Sequence, residues 1–251
     1  MLSCLPIQAA GIYNSTTSGA NIQEYLAPSY ITSLRSINHS PLPDSSPLVF
    51  AIGQAKSQGQ APIPFVAAEI QCIRTSLPVA DLVTLENESA DLLSVVIALS
   101  ELSASERPLV LHLACHGTQS PQSADSLSSS LHMYDKPFPM NHLMMLPVPY
   151  GALAVLSACE TATLESQSGP HGMQHIGAAM QCLGFHGVIA IMWAIEDKDG
   201  QGIAGSVYAQ LFREEGRGVG GSAKALWVAV EKLKKKDLSC IRWASFVHIG
   251  L

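Results

Sequence analysis

Two short segments place chemically reactive residues directly after apolar runs. The segment LVLHLACHGTQ (110–120) ends its apolar run with Cys115, His116 and Gly117, and AVLSACETAT (154–163) ends its run at Cys159. A thiol is weakly ionised at neutral pH, so a nucleophilic cysteine needs a neighbour that takes its proton, and histidine does this well. The pattern predicts His116 as a base for the nucleophile Cys159, provided that the two runs lie side by side.

The residues around this pair complete a plausible acyl-transfer site. Gly117 has no side chain to block a carbonyl group that approaches its backbone N–H. The N–H groups of Gly117 and Cys159 are therefore a candidate oxyanion hole, in which one donor is worth on the order of 3 kcal/mol. Such a site would attack amides or esters.

A structural interpretation of the same residues stays open. Cysteines in apolar surroundings are most often core residues, and we expect this of Cys115, which alternates away from His116. We expect His112 to be a buried histidine that bonds to backbone.

A third apolar run is followed by acidic residues, in AIEDKDGQG (194–202). Glu196, Asp197 and Asp199 are either a solvated helix start, where acids suit the helix dipole, or an acidic pocket for a basic substrate side chain. The residues alone leave both interpretations open.

Apolar runs typical of strands covered on both faces alternate with helix-like periodicities. The predicted strands are 48–53, 108–115, 152–158, 187–193 and 245–250, and the predicted helices are 64–77, 89–102, 171–184, 202–212 and 222–236. This alternation predicts an α/β fold with a mainly parallel central sheet and helices on both faces, as one domain over 1–251. The segment 118–149 interrupts it with a Ser-rich stretch and then a stretch with four prolines, at 137, 139, 147 and 149, so we expect a functional or mobile loop there.

Composition narrows the class of protein and its location. The net charge of -6 argues against a nucleic-acid partner. The basic run EKLKKK (231–236) is expected to be a solvated helix end.

Six cysteines without a C-x-x-C pair indicate reduced thiols. The start has no signal-peptide pattern, and no segment approaches the ~20 apolar residues of a membrane span. We therefore expect a cytoplasmic protein with no membrane partner.

The motifs HLACHG and LSACET, followed by GPHGMQHIGAAMQCLGFHGVIAIMWAIEDKD, resemble those of the CHAT domain family of caspase-like peptidases. LSCLPIQAAG, LAPSYITSLRSI, PFVAAEIQCI and RWASFVHIG are similar to further segments of that family, so the resemblance covers nearly the whole chain. It implies a caspase-like three-layer sandwich and a Cys–His dyad with His116 as base and Cys159 as nucleophile. It implies no cofactor and no metal.

Similarity to the separases, which are related peptidases, extends to their W-x-V-x-D-x-D motif. The matching residues here are Trp193, Ile195, Asp197 and Asp199. The similarity implies that this region contacts a basic P1 residue of the substrate, with Asp197 the better candidate and Asp199 the second.

The resemblance leaves two hypotheses about function. The first is a cysteine endopeptidase that cuts proteins or peptides after a basic residue, under control of a partner or signal. The second is a catalytically silent or conditionally active CHAT module for signalling or assembly. CHAT domains commonly follow helical repeats, so a helical-repeat protein is an expected partner, and the chain is either a stand-alone module or a piece of a longer product. A thiol hydrolase of small esters is disfavoured, because no G-x-S-x-G-like elbow is present.

Overall fold

The computed structural model of the chain describes residues 6–13, 21–31, 41–118, 129–157, 172–212, 218–236 and 238–251, without the side chains of 172–175. Within these ranges, no helix is both long enough and apolar enough to cross a membrane.

In the part of the chain that the structure describes, nine strands form a large central sheet and a small accessory sheet. They are β1 (Leu48–Gly53), β2 (Leu82–Glu86), β3 (Leu109–Ala114), β4 (Gly117–Thr118), β5 (Ser130–His132), β6 (Pro137–Pro139), β7 (Gly151–Leu156), β8 (Gly187–Ile191) and β9 (Phe246–Gly250). The central sheet has the order β2-β1-β3-β7-β8-β9 and the accessory sheet the order β4-β5-β6. Only β9 is antiparallel to its neighbour in the central sheet, and the other pairs in it are parallel.

Seven α-helices are described. They are α1 (Val66–Arg74), α2 (Leu92–Ser103), α3 (Met140–Leu143), α4 (Gly172–Leu183), α5 (Asp197–Phe212), α6 (Ser222–Lys234) and α7 (Cys240–Trp243). The β1-α1-β2 and β2-α2-β3 crossovers run in opposite directions across the sheet, so right-handed connections put α1 and α2 on opposite faces. Helices α1, α5 and α6 pack in a row as one outer layer. The fold is a caspase-like α/β sandwich, as predicted.

The residue types explain why the central strands form where they do. Every residue of β1, β3, β7, β8 and β9 is buried, which is the pattern of strands covered on both faces. All five predicted strands and all five predicted helices are present, with ends shifted by a few residues. Strand β2 was not predicted, because this edge strand is only half-buried and its sequence LVTLE mixes apolar and polar residues.

The described part of the segment 118–149 is more ordered than the expected loop. It contains β5, β6 and α3, and β4 pairs with β5 directly after His116. Short strands interrupted by prolines lack the periodicity by which longer elements are recognised.

Candidate active site

The ends of β3 and β7 lie side by side at the carboxyl edge of the sheet. Leu113 is the register partner of Leu156, and beyond the last pair the Ser157 N–H donates to the Leu113 carbonyl at 2.9 Å. The arrangement on which the sequence argument depended is therefore present. Open α/β sheets place their ligands at this edge.

His116 follows β3, and a contact to its imidazole ring fixes the side chain in place. It is only 3% exposed, and its Nε2 lies 2.7 Å from the carbonyl oxygen of Ala61. A carbonyl oxygen can only accept a hydrogen bond, so Nε2 carries the proton and Nδ1 of the neutral ring is a free base. Nδ1 is buried and has no hydrogen-bond partner within the described ranges.

Cys159 lies outside the described residues, and so does its backbone N–H in the predicted oxyanion hole. Ser157 is the last described residue before it, and two peptide units span at most about 7 Å. The chain therefore enters the segment that contains Cys159 from the end of β7, the strand that pairs with β3.

Gly117 begins β4 and is buried opposite Leu131 of β5. The hydrogen bond from the His132 N–H to the His116 carbonyl, at 2.8 Å, extends this pairing to the candidate base itself. The accessory sheet thus fixes the backbone that carries both His116 and Gly117.

Asp197 begins α5 and connects it to the start of α1. Its Oδ2 accepts a hydrogen bond from the Phe65 N–H at 2.7 Å. Burial raises the pKa of this carboxyl group and the charge of Glu69 acts in the same direction, whereas the Phe65 N–H and the charge of His116 lower the pKa. Asp197 is half-buried, and it is close enough to His116 for the two charges to interact.

Asp199 and Glu196 are both paired with Arg242. Asp199 is buried, and its two oxygens accept from Arg242 at 2.8 and 2.7 Å. Glu196 is exposed and lies 2.9 Å from Arg242 and 2.7 Å from Lys198. Asp197, by contrast, is bonded to the Phe65 N–H, and the charge of His116 influences it.

Comparison with known families agrees with the caspase-like architecture of the fold. The profile of the CHAT domain family matches residues 2–251. The chain belongs to the CHAT domain family. CHAT domains are caspase-like.

Comparisons with individual proteins add little about the function of this CHAT domain. No curated protein matches it. A crystal structure of a protein from Geobacter sulfurreducens is similar at 15% identity and a TM-score of 0.38, over 48% of this chain and 53% of that chain.

Two residues behind the CHAT site have contacts that the motifs did not predict. Glu69 of α1 is 2% exposed, and its Oε1 lies 3.1 Å from Nε2 of the fully buried His112, although the orientation is not that of a hydrogen bond. His112 thus faces a carboxylate rather than the backbone partner that we expected. The family-like segment PFVAAEIQCI, which contains Glu69, was the available signal, but it does not reveal which side chain the glutamate meets.

The accessory sheet contributes a second histidine that the sequence analysis missed. His132 Nε2 lies 3.0 Å from the Thr118 hydroxyl. Burial lowers its pKa, and the charge of His116 acts in the same direction. His132 lies in the segment 118–149, which none of the family-like segments covers, so no motif pointed to it.

Cys115 has the inert environment expected of a core cysteine. It is completely buried, and burial raises the pKa of its thiol to about 12. A thiol that stays protonated at neutral pH is a poor nucleophile.

Proposed function

We propose that this CHAT domain is a cysteine endopeptidase that uses Cys159 as nucleophile and His116 as general base. It belongs to the caspase-like group and hydrolyses peptide bonds, with a preference for a basic P1 residue. The proposal includes a cytoplasmic location, and it requires neither a cofactor nor a metal.

The orientation of the His116 ring is the observation that carries the proposal. A buried polar atom without a partner is costly, and a catalytic role is one reason why such an atom is kept. Here Nε2 is bonded to Ala61 and Nδ1 is left without a described partner, at the strand end next to the one that leads to Cys159. This is the arrangement that a proton acceptor needs.

The reaction follows from that orientation. Nδ1 takes the proton of the Cys159 thiol, and the thiolate forms a C–S bond with the substrate carbonyl carbon as its π electrons move to oxygen. N–H groups of Gly117 and Cys159 hold the oxyanion. The C–N bond breaks as the oxyanion electrons re-form the carbonyl group, and the leaving amine takes the proton from Nδ1. Water then hydrolyses the thioester by the same proton shuttle. Ala61 stabilises the imidazolium through its carbonyl group.

Asp197 is the proposed contact for a basic P1 side chain. Its Oδ2 is engaged by the Phe65 N–H, whereas Oδ1 has no hydrogen-bond partner among the described residues. A carboxylate with one free oxygen suits a guanidinium or ammonium group. The ion pair of Asp199 with Arg242 makes Asp199 the weaker candidate for this contact.

The burial of His116 favours activity that depends on a signal. At 3% exposure, the ring is not open to a substrate, so part of the cleft must move before catalysis. We propose that a regulatory protein or a helical-repeat protein drives that movement. A CHAT module with no peptidase activity is the alternative that the next experiment separates.

The test is a peptide-library cleavage assay combined with labelling by an arginine-containing acyloxymethyl ketone, which captures a reactive thiol. We expect labelling at Cys159, cleavage after Arg or Lys, and a loss of roughly 10²–10⁴-fold in kcat/KM in His116→Ala. Cys159→Ala should abolish both signals. Cys182→Ala is the matched control, because Cys182 is an exposed cysteine on α4. Labelling of Cys159 that is unchanged in His116→Ala would refute the dyad.

A further inference from the structure

A second concave site lies outside the proposed cleft, between α1 and the start of α5. It is a cavity of about 550 Å³, within the range of small-molecule sites. Its walls come from Cys72 of α1, from Gly202 and Gly205 of α5, and from Lys236 just beyond α6. His116 is not among the described residues that line it.

Positive charge predominates among the charged residues described in the lining of this cavity. Among the described residues that line it, Lys198, Lys236 and Arg242 are basic and Asp199 is the single acid, in a chain whose net charge is -6. Lys236 ends the basic run that we expected to be a solvated helix end. Lys236 lines the cavity, and no ion pair of this lysine is found within the described ranges.

One wall of the cavity has little side-chain cover. At Gly202, the nearest atom to the position that a Cβ would take is Lys236 Nζ, at 4.0 Å. A ligand can therefore approach the α5 backbone closely while it contacts Lys236.

Two of the three cations are neutralised by a partner that is easily displaced. Glu196 pairs with Lys198 and with Arg242 Nη1, but its side chain is 51% exposed. Exposed ion pairs contribute little to stability. Asp199, by contrast, is buried and holds the other edge of the same guanidinium group. Arg242 is thus fixed in place while Nη1 is free to exchange its carboxylate for another anion.

We propose that this cavity binds a phosphate-bearing small molecule of about nucleotide size, with its phosphate groups on Lys198, Lys236 and Arg242. A planar guanidinium group and two ammonium groups match several phosphate oxygens at once. The inference does not depend on the proposed peptidase activity.

Isothermal titration calorimetry with ATP, inorganic pyrophosphate and adenosine, at matched ionic strength, tests the site. We expect ATP and pyrophosphate to bind with submillimolar Kd and adenosine not to bind. Lys236→Gln should weaken binding of ATP at least tenfold. Glu196→Gln should tighten it several-fold, because it removes the competing carboxylate.

Lys224→Gln is the matched control, since it removes the same charge at an exposed position on α6 outside the cavity. It should leave the Kd unchanged. The proposal is overturned if ATP and pyrophosphate do not bind, if adenosine binds as tightly as ATP, or if Lys236→Gln and Lys224→Gln have equal effects. Thermal melting of each variant verifies that it is folded.

Discussion

At the scale of single residues, side chains of the same type differ in their chemistry because their surroundings differ. His116 keeps a free nitrogen because a carbonyl group engages the other one, whereas both ring nitrogens of His248 have hydroxyl partners, Ser29 at 2.7 Å and Ser222 at 2.8 Å. Cys115 is a thiol one residue from His116, yet burial keeps it protonated. Local contacts, rather than residue type, separate a candidate base from a structural histidine.

Asp197 provides the residue-scale prediction. Asp197→Asn keeps an oxygen acceptor for the Phe65 N–H but removes the charge, so the fold should be retained while basic substrates lose their ion pair. We expect kcat/KM for Arg substrates to fall by roughly 10–100-fold, with neutral substrates nearly unchanged. Steady-state kinetics on paired Arg and norleucine peptides measures the ratio.

Asp44→Asn is the control for this charge change, because Asp44 is exposed and far along the chain from the site. If Asp197→Asn retains the full Arg-over-norleucine discrimination, Asp197 is not the P1 contact.

At the scale of elements, the candidate site depends on strand ends and on close approaches of backbone. β3 and β7 remain hydrogen-bonded up to Ser157, and the accessory sheet grips the backbone of His116. At the far side of the sheet, β9 ends at Gly250, whose φ of +110° is rarely adopted by other residues. A Cβ there would lie 2.0 Å from the carbonyl oxygen of His186.

Gly250→Ala is therefore predicted to destabilise the whole fold. Backbone strain and overlap with the His186 carbonyl should together cost about 3 kcal/mol or more. For a chain of this length, that corresponds to a fall of about 10 °C in Tm. Differential scanning calorimetry measures it.

Gly220→Ala serves as the comparison, because Gly220 is exposed and nothing lies within 4 Å of the added Cβ. Its Tm should change little. Equal Tm values for the two variants would show that the end of β9 relaxes around the extra methyl group.

At the scale of the whole molecule, the segment 21–31 joins distant parts of the chain. Tyr30 pairs with β9 through its backbone, and its hydroxyl donates to Gln8. Ser29 and Ser222 hold His248 between them, so this histidine connects the segment, β9 and α6. The outer edge of β9 is thereby covered by the chain itself.

His248 makes global stability depend on pH. Burial lowers its pKa from 6.5 to about 4, so as the pH falls the unfolded chain binds this proton before the folded one does. The contribution of His248 to the free energy of unfolding is about 3 kcal/mol. It is fully present above about pH 6.5 and is lost as the pH falls towards 4. Urea unfolding between pH 7 and pH 4 measures the slope.

His248→Asn should flatten that slope, whatever it does to stability at pH 7. His142→Asn, at an exposed histidine on α3, should leave the slope as it is. Carboxyl groups contribute to both curves, so the difference between variants is the informative quantity. An unchanged slope in His248→Asn would mean that the ring titrates alike in the folded and unfolded chains.

The strands and helices were predictable where periodicity is long and burial is uniform. β1, β3 and β7 read as continuous apolar runs because both of their faces are covered, and the same runs indicated that His116 and Cys159 follow strand ends. β2 escaped prediction because an edge strand buries only part of its surface. The accessory sheet was not predicted either, because strands of two or three residues are too short to show a periodic pattern of apolar residues.

The sequence by itself determined the α/β class, the CHAT resemblance and the identity of the candidate dyad. It did so because apolar runs and their polar endings are local properties of the chain. Only the tertiary structure decided that Ala61 orients the His116 ring, that Arg242 engages Asp199 while Asp197 keeps an oxygen free, and that Lys236 faces a cavity. Those pairings join residues that lie tens of positions apart, and only packing brings such groups within bonding distance.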